Sequence, residues 1–460
     1  MDKKGRLAAQ KIYKRILKEI KPSELEIKTT IANSNRIMAR LKKLVPKEVE
    51  LMVVGSIARS TNLRGDHDID IFMLFEKKVP VKKMERLGLE YGKRLVDTKK
   101  GEKYELKYAE HPYLRLYLSE MNIKIDLVPA YKIENVEELA TAVDRTPFHT
   151  KFMNENLSER QRDEVRLLKY MLKNHNIYGA EVKIKGFSGY LCELLIYNFG
   201  SFENLMESVA NFKMPLCITP GEKEQKADKK IFERFNSQFV VIDPVDKNRN
   251  VAAGVSIESL GRFVSIARSF VTKPEPKLFF GDGFSSLEVH KKVSEFIRNS
   301  NLESYLLATK VPNKSEDIVW PQLKKTSEII VAHAKRFGFQ VYLSAVWIDK
   351  SKGMMLFLAP KQKIETRLFV GPSIFQKNAA IPFAKAHKNA LGLFLDEDKI
   401  TALDRNRYST IEQLLKEVVK GSVVERRKDI QVKGAKLLIN SIPKEYSANI
   451  FVELRSRLKI

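Results

Sequence analysis

The segment GSIARSTNLRGDHDIDIFMLF, running from Gly55 to Phe75, sets two aspartates into a run that otherwise has the character of a buried strand. Side chains two apart on a strand share a face, so Asp68 and Asp70 project together while Ile69, Ile71 and Met73 project to the other side. Two like charges about 5 to 7 Å apart repel one another and lose hydration if partly buried, a cost that a cationic partner offsets. Asp126 interrupts a second apolar run, MNIKIDLVPAY, with Ile123, Ile125 and Leu127 facing one way and Asp126 and Val128 the other. If the two strands are neighbours, three carboxylates meet on one patch. Hard oxygen ligands of this kind suit Mg²⁺, which binds through a few carboxylates plus substrate phosphates. Two such ions about 4 Å apart activate an attacking hydroxyl and stabilise a leaving pyrophosphate.

Gly55 and Ser56 follow the apolar strand LMVV, and the residues after them can open a short helix whose free N–H groups hold phosphate oxygens. Arg59, one turn on, adds a fork of donors. Taken alone, a Gly-Ser after a strand is usually an ordinary turn, and most Asp-x-Asp strands hold no metal. Their combination with a later Ile-Asp strand points to nucleotidyl transfer. Asp66 and His67 belong to the turn after Gly65 and are left out of the site.

Positioning three strand-borne carboxylates requires a sheet. Strand patterns fall at residues 49–54, 69–75, 104–109, 113–118 and 123–128, with a helix at 81–96 between the second and third. Two amphipathic helices precede them, one with Leu7, Ile12, Ile16 and Ile20 before Pro22, the other with Ile31, Met38 and Leu41 before Pro46, and both are expected to cover the sheet. This α/β head ends near residue 150. From Leu157 the pattern turns helical, opening with Ser158 and Glu159. Strand signals stay sparse up to the basic, proline-punctuated segment KPEPK at 273–277, which is read as a second boundary. Beyond it, helices at 286–299, 322–337 and 411–419 alternate with strands at 340–347, 354–358 and 367–370. The expected architecture is α/β plus α, with three domains: 1–150, a catalytic head with a mixed sheet; 151–272, a helical central domain; and 273–460, an α+β C-terminal module.

A chain of 460 residues suits about three domains. With 43% hydrophobic and 30% charged residues it has the composition of a soluble globular protein, not of a disordered, collagenous or disulfide-framed one. No apolar run approaches the ~20 residues of a bilayer span, and the charged start MDKKGRLAAQ has no signal-like core, so the expectation is a cytoplasmic protein with no membrane partner. Cys192 and Cys217 form no ligand pattern and are read as core residues. The net charge of +25 favours a polyanionic partner, with nucleic acid the first candidate.

The order Gly-Ser, Asp-x-Asp, Asp resembles the signature of the polymerase-β-type nucleotidyltransferases. That resemblance implies that Asp68 and Asp70 bind both Mg²⁺ ions and that Asp126 completes the one activating the primer hydroxyl. Further segments narrow it: DRTPFHT at 144–150, RLLKYMLKNHNIYGAE around Lys169 and Tyr178, GFSGYLCELLI from Gly186 and DPVDKNRNVAA from Asp243 resemble the archaeal, class I CCA-adding enzymes. VWPQLKKTSEII and FVGPSIF extend the likeness, more diffusely, into the C-terminal third. The resemblance implies a template-independent tRNA nucleotidyltransferase that builds the 3′-terminal CCA from CTP and ATP. Ser56 and Arg59 would then hold the triphosphate, His149, Lys169 and Tyr178 would contact the incoming nucleotide, and Arg249 would help select C and A. Asp68 stands where the family often has Glu. The C-terminal module would hold the tRNA acceptor stem and T-arm, a task that basic pairs such as Lys324 with Lys325, Lys335 with Arg336 and Arg426 with Arg427 suit; a homodimer is compatible with it. A poly(A) polymerase or a 2′-5′ oligoadenylate synthetase shares the signature, and a silent RNA-binding scaffold is the reading from outside the enzymes. Without the resemblance, His149 reads as readily as a surface histidine, Lys169 as a solvated charge, Tyr178 as packing at a helix end, and Arg249 as a partner of Asp243 or Asp246.

Overall fold

Pro22 separates two N-terminal helices whose apolar stripes go to different cores. The structure, a computed structural model, describes residues 3–108, 112–118, 123–222, 228–280, 286–421, 430 and 432–450. Helix α1 (Lys3–Ile20) buries Ala9, Ile12, Ile16 and Ile20. Helix α2 (Glu24–Lys42) starts at a capping box in which Ser23 and Glu26 satisfy each other's backbone N–H groups, and it buries Ile37 and Leu41. Two compact units divide the chain, residues 1–282 and 283–460.

In the first unit, β1 (Glu50–Val54), the single-turn α3 (Gly55–Ala58), β2 (Ile69–Phe75), α4 (Val81–Leu95), β3 (Lys103–Tyr108), β4 (Pro112–Leu118) and β5 (Ile123–Tyr131) build the head. Its sheet has the order β1-β2-β5-β4-β3, with β2 and β5 parallel and the other pairs antiparallel, so it is mixed as expected. Alternation gives each strand two faces. Ile69, Ile71, Met73, Ile125 and Leu127 pack against Ile37 and Leu41 of α2 and Met84, Tyr91 and Leu95 of α4. The opposite face carries Val54, Phe72, Leu74 and Ala130, with Asp70 and Asp126 in line with them. Ala109, the last residue of one expected strand, lies outside the described residues.

Helices α5 (Thr146–Asn156), α6 (Glu159–Asn174), α7 (Gly189–Phe199) and α8 (Phe202–Ala210) follow, then β6 (Leu216–Ile218), α9 (Lys229–Phe235), β7 (Phe239–Val241), α10 (Ile257–Thr272) and α11 (Lys277–Phe280). Strands β6 and β7 are three-residue parallel partners. Residues Leu168, Leu194, Phe263 and Phe270 centre this helical core, and both cysteines are buried and free.

One expectation is corrected here: α1 does not cover the sheet. Its stripe belongs to the helical core, where the Tyr13 ring lies 5.4 Å from that of Phe202, 6.2 Å from Phe270 and 6.3 Å from Phe279. The stripe is covered by these aromatic rings, while α2 and α4 already close the sheet face. The same contact carries the first unit past the KPEPK segment, because Phe279 is fully buried in this core.

The second unit contains α12 (Ser286–Asn299), β8 (Leu302–Lys310), α13 (Glu316–Arg336), β9 (Leu343–Asp349), β10 (Lys352–Pro360), β11 (Thr366–Ser373), α14 (Lys377–Ala386), β12 (Gly392–Asp396), β13 (Lys399–Arg405), α15 (Ile411–Lys420) and β14 (Lys436–Ile439). They form a four-stranded antiparallel sheet in the order β14-β8-β10-β9 and a three-stranded one in the order β11-β13-β12. Helix α13 begins before Pro321, not after it, because Val319, Trp320 and Leu323 share a buried stripe. Arg426 and Arg427 lie outside the described residues. Among the described residues no helix is long and apolar enough to cross a membrane.

Candidate active site

Pairing registers align Val54, Asp70, Asp126 and Arg115 as one rung across β1, β2, β5 and β4. Paired residues point to the same face, so the carboxylates of Asp70 and Asp126 are neighbours on parallel strands. Asp68 is exposed, just ahead of β2. Gly55 opens α3 at φ +78°, and a Cβ there would lie 1.9 Å from Asp70 Oδ2. The close approach of the loop to the carboxylate thus requires glycine. Loss of hydration, followed by repulsion from Asp126, pushes the Asp70 carboxyl up to about 7, with Arg59 opposing and Asp68 adding to the shift.

Asp126 already has a partner. Arg115 donates to its two oxygens at 2.7 and 2.6 Å, a bidentate fork. With Asp126 gripped in this way, no group of three metal-ligating side chains closes on one point among the described residues. Nothing pairs with Asp68 or Asp70 among those residues. Two hard oxygen donors, one carrying a strongly raised pKa, mark a place short of positive charge. A divalent cation fits that chemistry.

Behind the Gly-Ser turn lies a buried carboxylate that the sequence reading did not single out. Glu193 of α7 accepts from Arg59 Nε at 2.7 Å, from the Thr61 hydroxyl at 2.5 Å and from Lys169 Nζ at 3.1 Å. Lys169 also donates to the Thr61 carbonyl at 3.2 Å. Burial works to raise the Glu193 pKa, but the Arg59 and Lys169 charges hold it below the usual carboxylate range; burial pulls that of Lys169 down. Lys169 is only 2% exposed, so the solvated-charge reading of it does not hold. A Cβ on Gly189 would lie 3.2 Å from the Tyr178 hydroxyl and 3.5 Å from Lys169 Nζ, which brings both to the first turn of α7. Ser56 lies half-buried in α3 and its carbonyl accepts from Thr61 N at 2.9 Å.

A second buried carboxylate, Asp243, gathers the remaining candidates. It bonds His149 Nε2 at 2.8 Å and accepts from Arg249 at 2.9 Å and from the Tyr190 hydroxyl at 3.0 Å. The His149 ring stacks on Tyr190 with centroids 3.9 Å apart. His149 is therefore a core histidine, its pKa lowered by burial. Burial opposes ionisation of Asp243, yet the His149 and Arg249 hydrogen bonds bring it down to about 2. Arg249 keeps 35% of its side chain exposed while Asp243 holds one end. Thr150 bridges the two groups, receiving a 3.3 Å hydrogen bond from Arg59 next to His149 in the chain.

Families match in three consecutive stretches: the nucleotidyltransferase domain over residues 34–149, the second domain of tRNA nucleotidyltransferase over 163–280, and the C-terminal domain of CCA-adding enzyme over 304–432. The CCA-adding enzyme of Methanocaldococcus jannaschii is 35% identical over 436 residues, covering 91% of this chain and 92% of that protein. The chain belongs to the CCA-adding enzyme family. Those of Sulfurisphaera tokodaii and Pyrococcus abyssi are 36% and 32% identical, over 88% and 96% of this chain and 91% and 97% of theirs. A crystal structure of the Cid1 poly(U) polymerase aligns with 58% of this chain and 97% of its own at 16% identity and a TM-score of 0.48. As a CCA-adding enzyme the chain catalyses nucleotidyl transfer, and its head has the mixed sheet of that fold.

Of the residues singled out in this CCA-adding enzyme, the structure brings Gly55, Asp70 and Asp126 into one contact group, Arg59, Lys169 and Tyr178 into a second around α7, and His149 and Arg249 into a third on Asp243. Sequence reasoning missed Glu193, Tyr190, Thr61 and Arg115. Glu193 left one signal, as the single charge in the helix GYLCELLIYNF. A lone carboxylate in an apolar helix needs a buried cation.

Proposed function

We propose that this enzyme builds or repairs the 3′-terminal CCA of tRNA from CTP and ATP without a template, releasing pyrophosphate. The observation that carries the reading is the side-by-side register of Asp70 and Asp126 next to Gly55, in a chain that matches CCA-adding enzymes from head to C-terminal domain. Asp68 and Asp70 would hold Mg²⁺, two ions in all, with Asp126 joining one of them. Mg²⁺ bound there would supply activation of the tRNA 3′ hydroxyl and charge neutralisation at the leaving pyrophosphate. Gly55, Ser56 and Arg59 receive the triphosphate, and Glu193 fixes Arg59 and Lys169 beside it. Tyr178 and Arg249 meet the base and sugar, and the buried His149, bonded to Asp243 as Arg249 is, acts on the nucleotide from behind Arg249. Choice of base requires donors and acceptors matched to its edge, since stacking tolerates any base, and the half-exposed Arg249 has spare N–H groups to offer.

The head up to about residue 150 serves as catalytic domain, the helical residues after it, through α11, as nucleotide-binding domain, and the second unit, from residue 283, as the module that holds the acceptor stem and T-arm. Lys324, Lys325, Lys335 and Arg336 are basic residues of that module suited to phosphates. The setting is the cytoplasm. A homodimer is part of the proposal, and sedimentation at two concentrations tests it.

The test is incubation of tRNA lacking its 3′ end with labelled CTP and ATP, with and without Mg²⁺. Growth by two C and one A followed by arrest is expected only with the metal. An ATP-only tail would point to a poly(A) polymerase or an oligoadenylate synthetase, and tight binding without incorporation to a scaffold; either overturns the reading.

A further inference from the structure

Arg115 has no place in the roles assigned above, yet it makes the tightest ion pair on the carboxylate rung. On β4 it stands between Asp126 of β5 and Glu105 of β3. Glu105 is engaged elsewhere, paired with Lys107 at 2.9 Å and accepting from the Tyr117 hydroxyl at 3.1 Å. The guanidinium instead turns to Asp126 and covers both of its oxygens. Asp70 lies directly beyond, and no side chain among the described residues pairs with it.

We propose that Arg115 is a positioning residue that holds the third carboxylate of the site in place and competes with a divalent cation for it. The inference rests on reading Asp126 as a metal ligand. A fork pair fixes both oxygens in one plane, and a guanidinium does not give up its proton in a protein, so Arg115 cannot open the site by neutralising itself. A cation reaches Asp126 only if the fork releases at least one oxygen or if the two positive charges share the carboxylate at close range. An ordinary cross-strand ion pair has similar geometry. What sets this one apart is its position, one strand away from Asp70 on the face that must collect metal. Arg115 thereby keeps Asp126 aimed and raises the metal concentration needed to engage it.

The experiment is a Mn²⁺ titration of the full-length, nucleotide-free protein, followed by the electron paramagnetic resonance signal of free Mn²⁺, for wild type, R115Q, R115K and D126N. R115Q is expected to bind Mn²⁺ about tenfold more tightly, the effect of removing a unit charge a few ångströms from a divalent ion in a water-like dielectric. R115K keeps the charge and stays close to wild type. The rise in melting temperature on adding Mn²⁺ should also be larger for R115Q than for wild type, a comparison that holds even if R115Q starts out less stable. Unchanged or weaker binding by R115Q, with D126N weakened, overturns the role of Arg115 alone. Binding by D126N equal to wild type removes Asp126 as a ligand, and the proposal with it.

Discussion

Gly55 is the residue at which the head tolerates least. A Cβ there would lie 1.9 Å from Asp70 Oδ2, in a backbone conformation at φ +78° that L side chains rarely adopt. Gly55→Ala should fold with a modest loss of melting temperature and lose roughly a hundredfold in CTP incorporation, the scale on which a 1 Å misplacement is felt. Asp243 gives a pH signature. Its folded pKa, about 2, lies below the ordinary 3.8, so the stability it contributes is complete above pH 4 and is lost as pH falls from 3.8 towards 2. Asp243→Asn should therefore cost about 2 kcal/mol at pH 7 and progressively less below pH 4, as read by denaturant melts at both ends of that range. At this scale the shared face of Asp70 and Asp126 was legible because strand parity is simple arithmetic; Asp68, exposed just ahead of β2, lies outside that parity. Lys169 was not, because its surroundings are supplied by Glu193 and Thr61, distant in the sequence; a charge at helical spacing looks solvated until its buried partner is known.

Among the elements, α7 does the most to organise the site. Tyr190 and Glu193 stand three residues apart on it, one bonded to Asp243 and the other to Arg59, Thr61 and Lys169. Glu193→Gln leaves two buried cations without a counter-charge. It should destabilise the first unit by about 3 to 5 kcal/mol, and steady-state assays on the folded fraction should show a raised KM for CTP and ATP. One helix start was readable outright: Ser158, read as opening a helix, caps α6. The destination of α1 was not, because an apolar stripe records that a helix must be covered and leaves open by what. Nor was the pairing of Asp126 with Arg115, which depends on β4 being the strand beside β5.

Across the whole molecule, the charge of +25 is the property that acts at longest range. If tRNA is held mainly by its phosphates, binding should weaken about a thousandfold between 50 and 200 mM salt, as expected for six or more contacts, with log affinity linear in log salt. Filter binding across that series checks it, and a flat series would remove phosphates as the main contact. Division into units was legible in part, since KPEPK marks the approach to a boundary that buried Phe279 pushes a few residues further. The placement of α1 also has a consequence for synthesis. Tyr13 leaves the ribosome long before Phe202, Phe270 and Phe279 exist, and at ordinary elongation rates the last of these follows it by roughly 10 to 50 s. The strands bearing Asp70 and Asp126 are complete well within that interval. Helix α1, made before all three of its aromatic partners, is thus among the last elements of the first unit to find its place, and until then it needs shelter from aggregation.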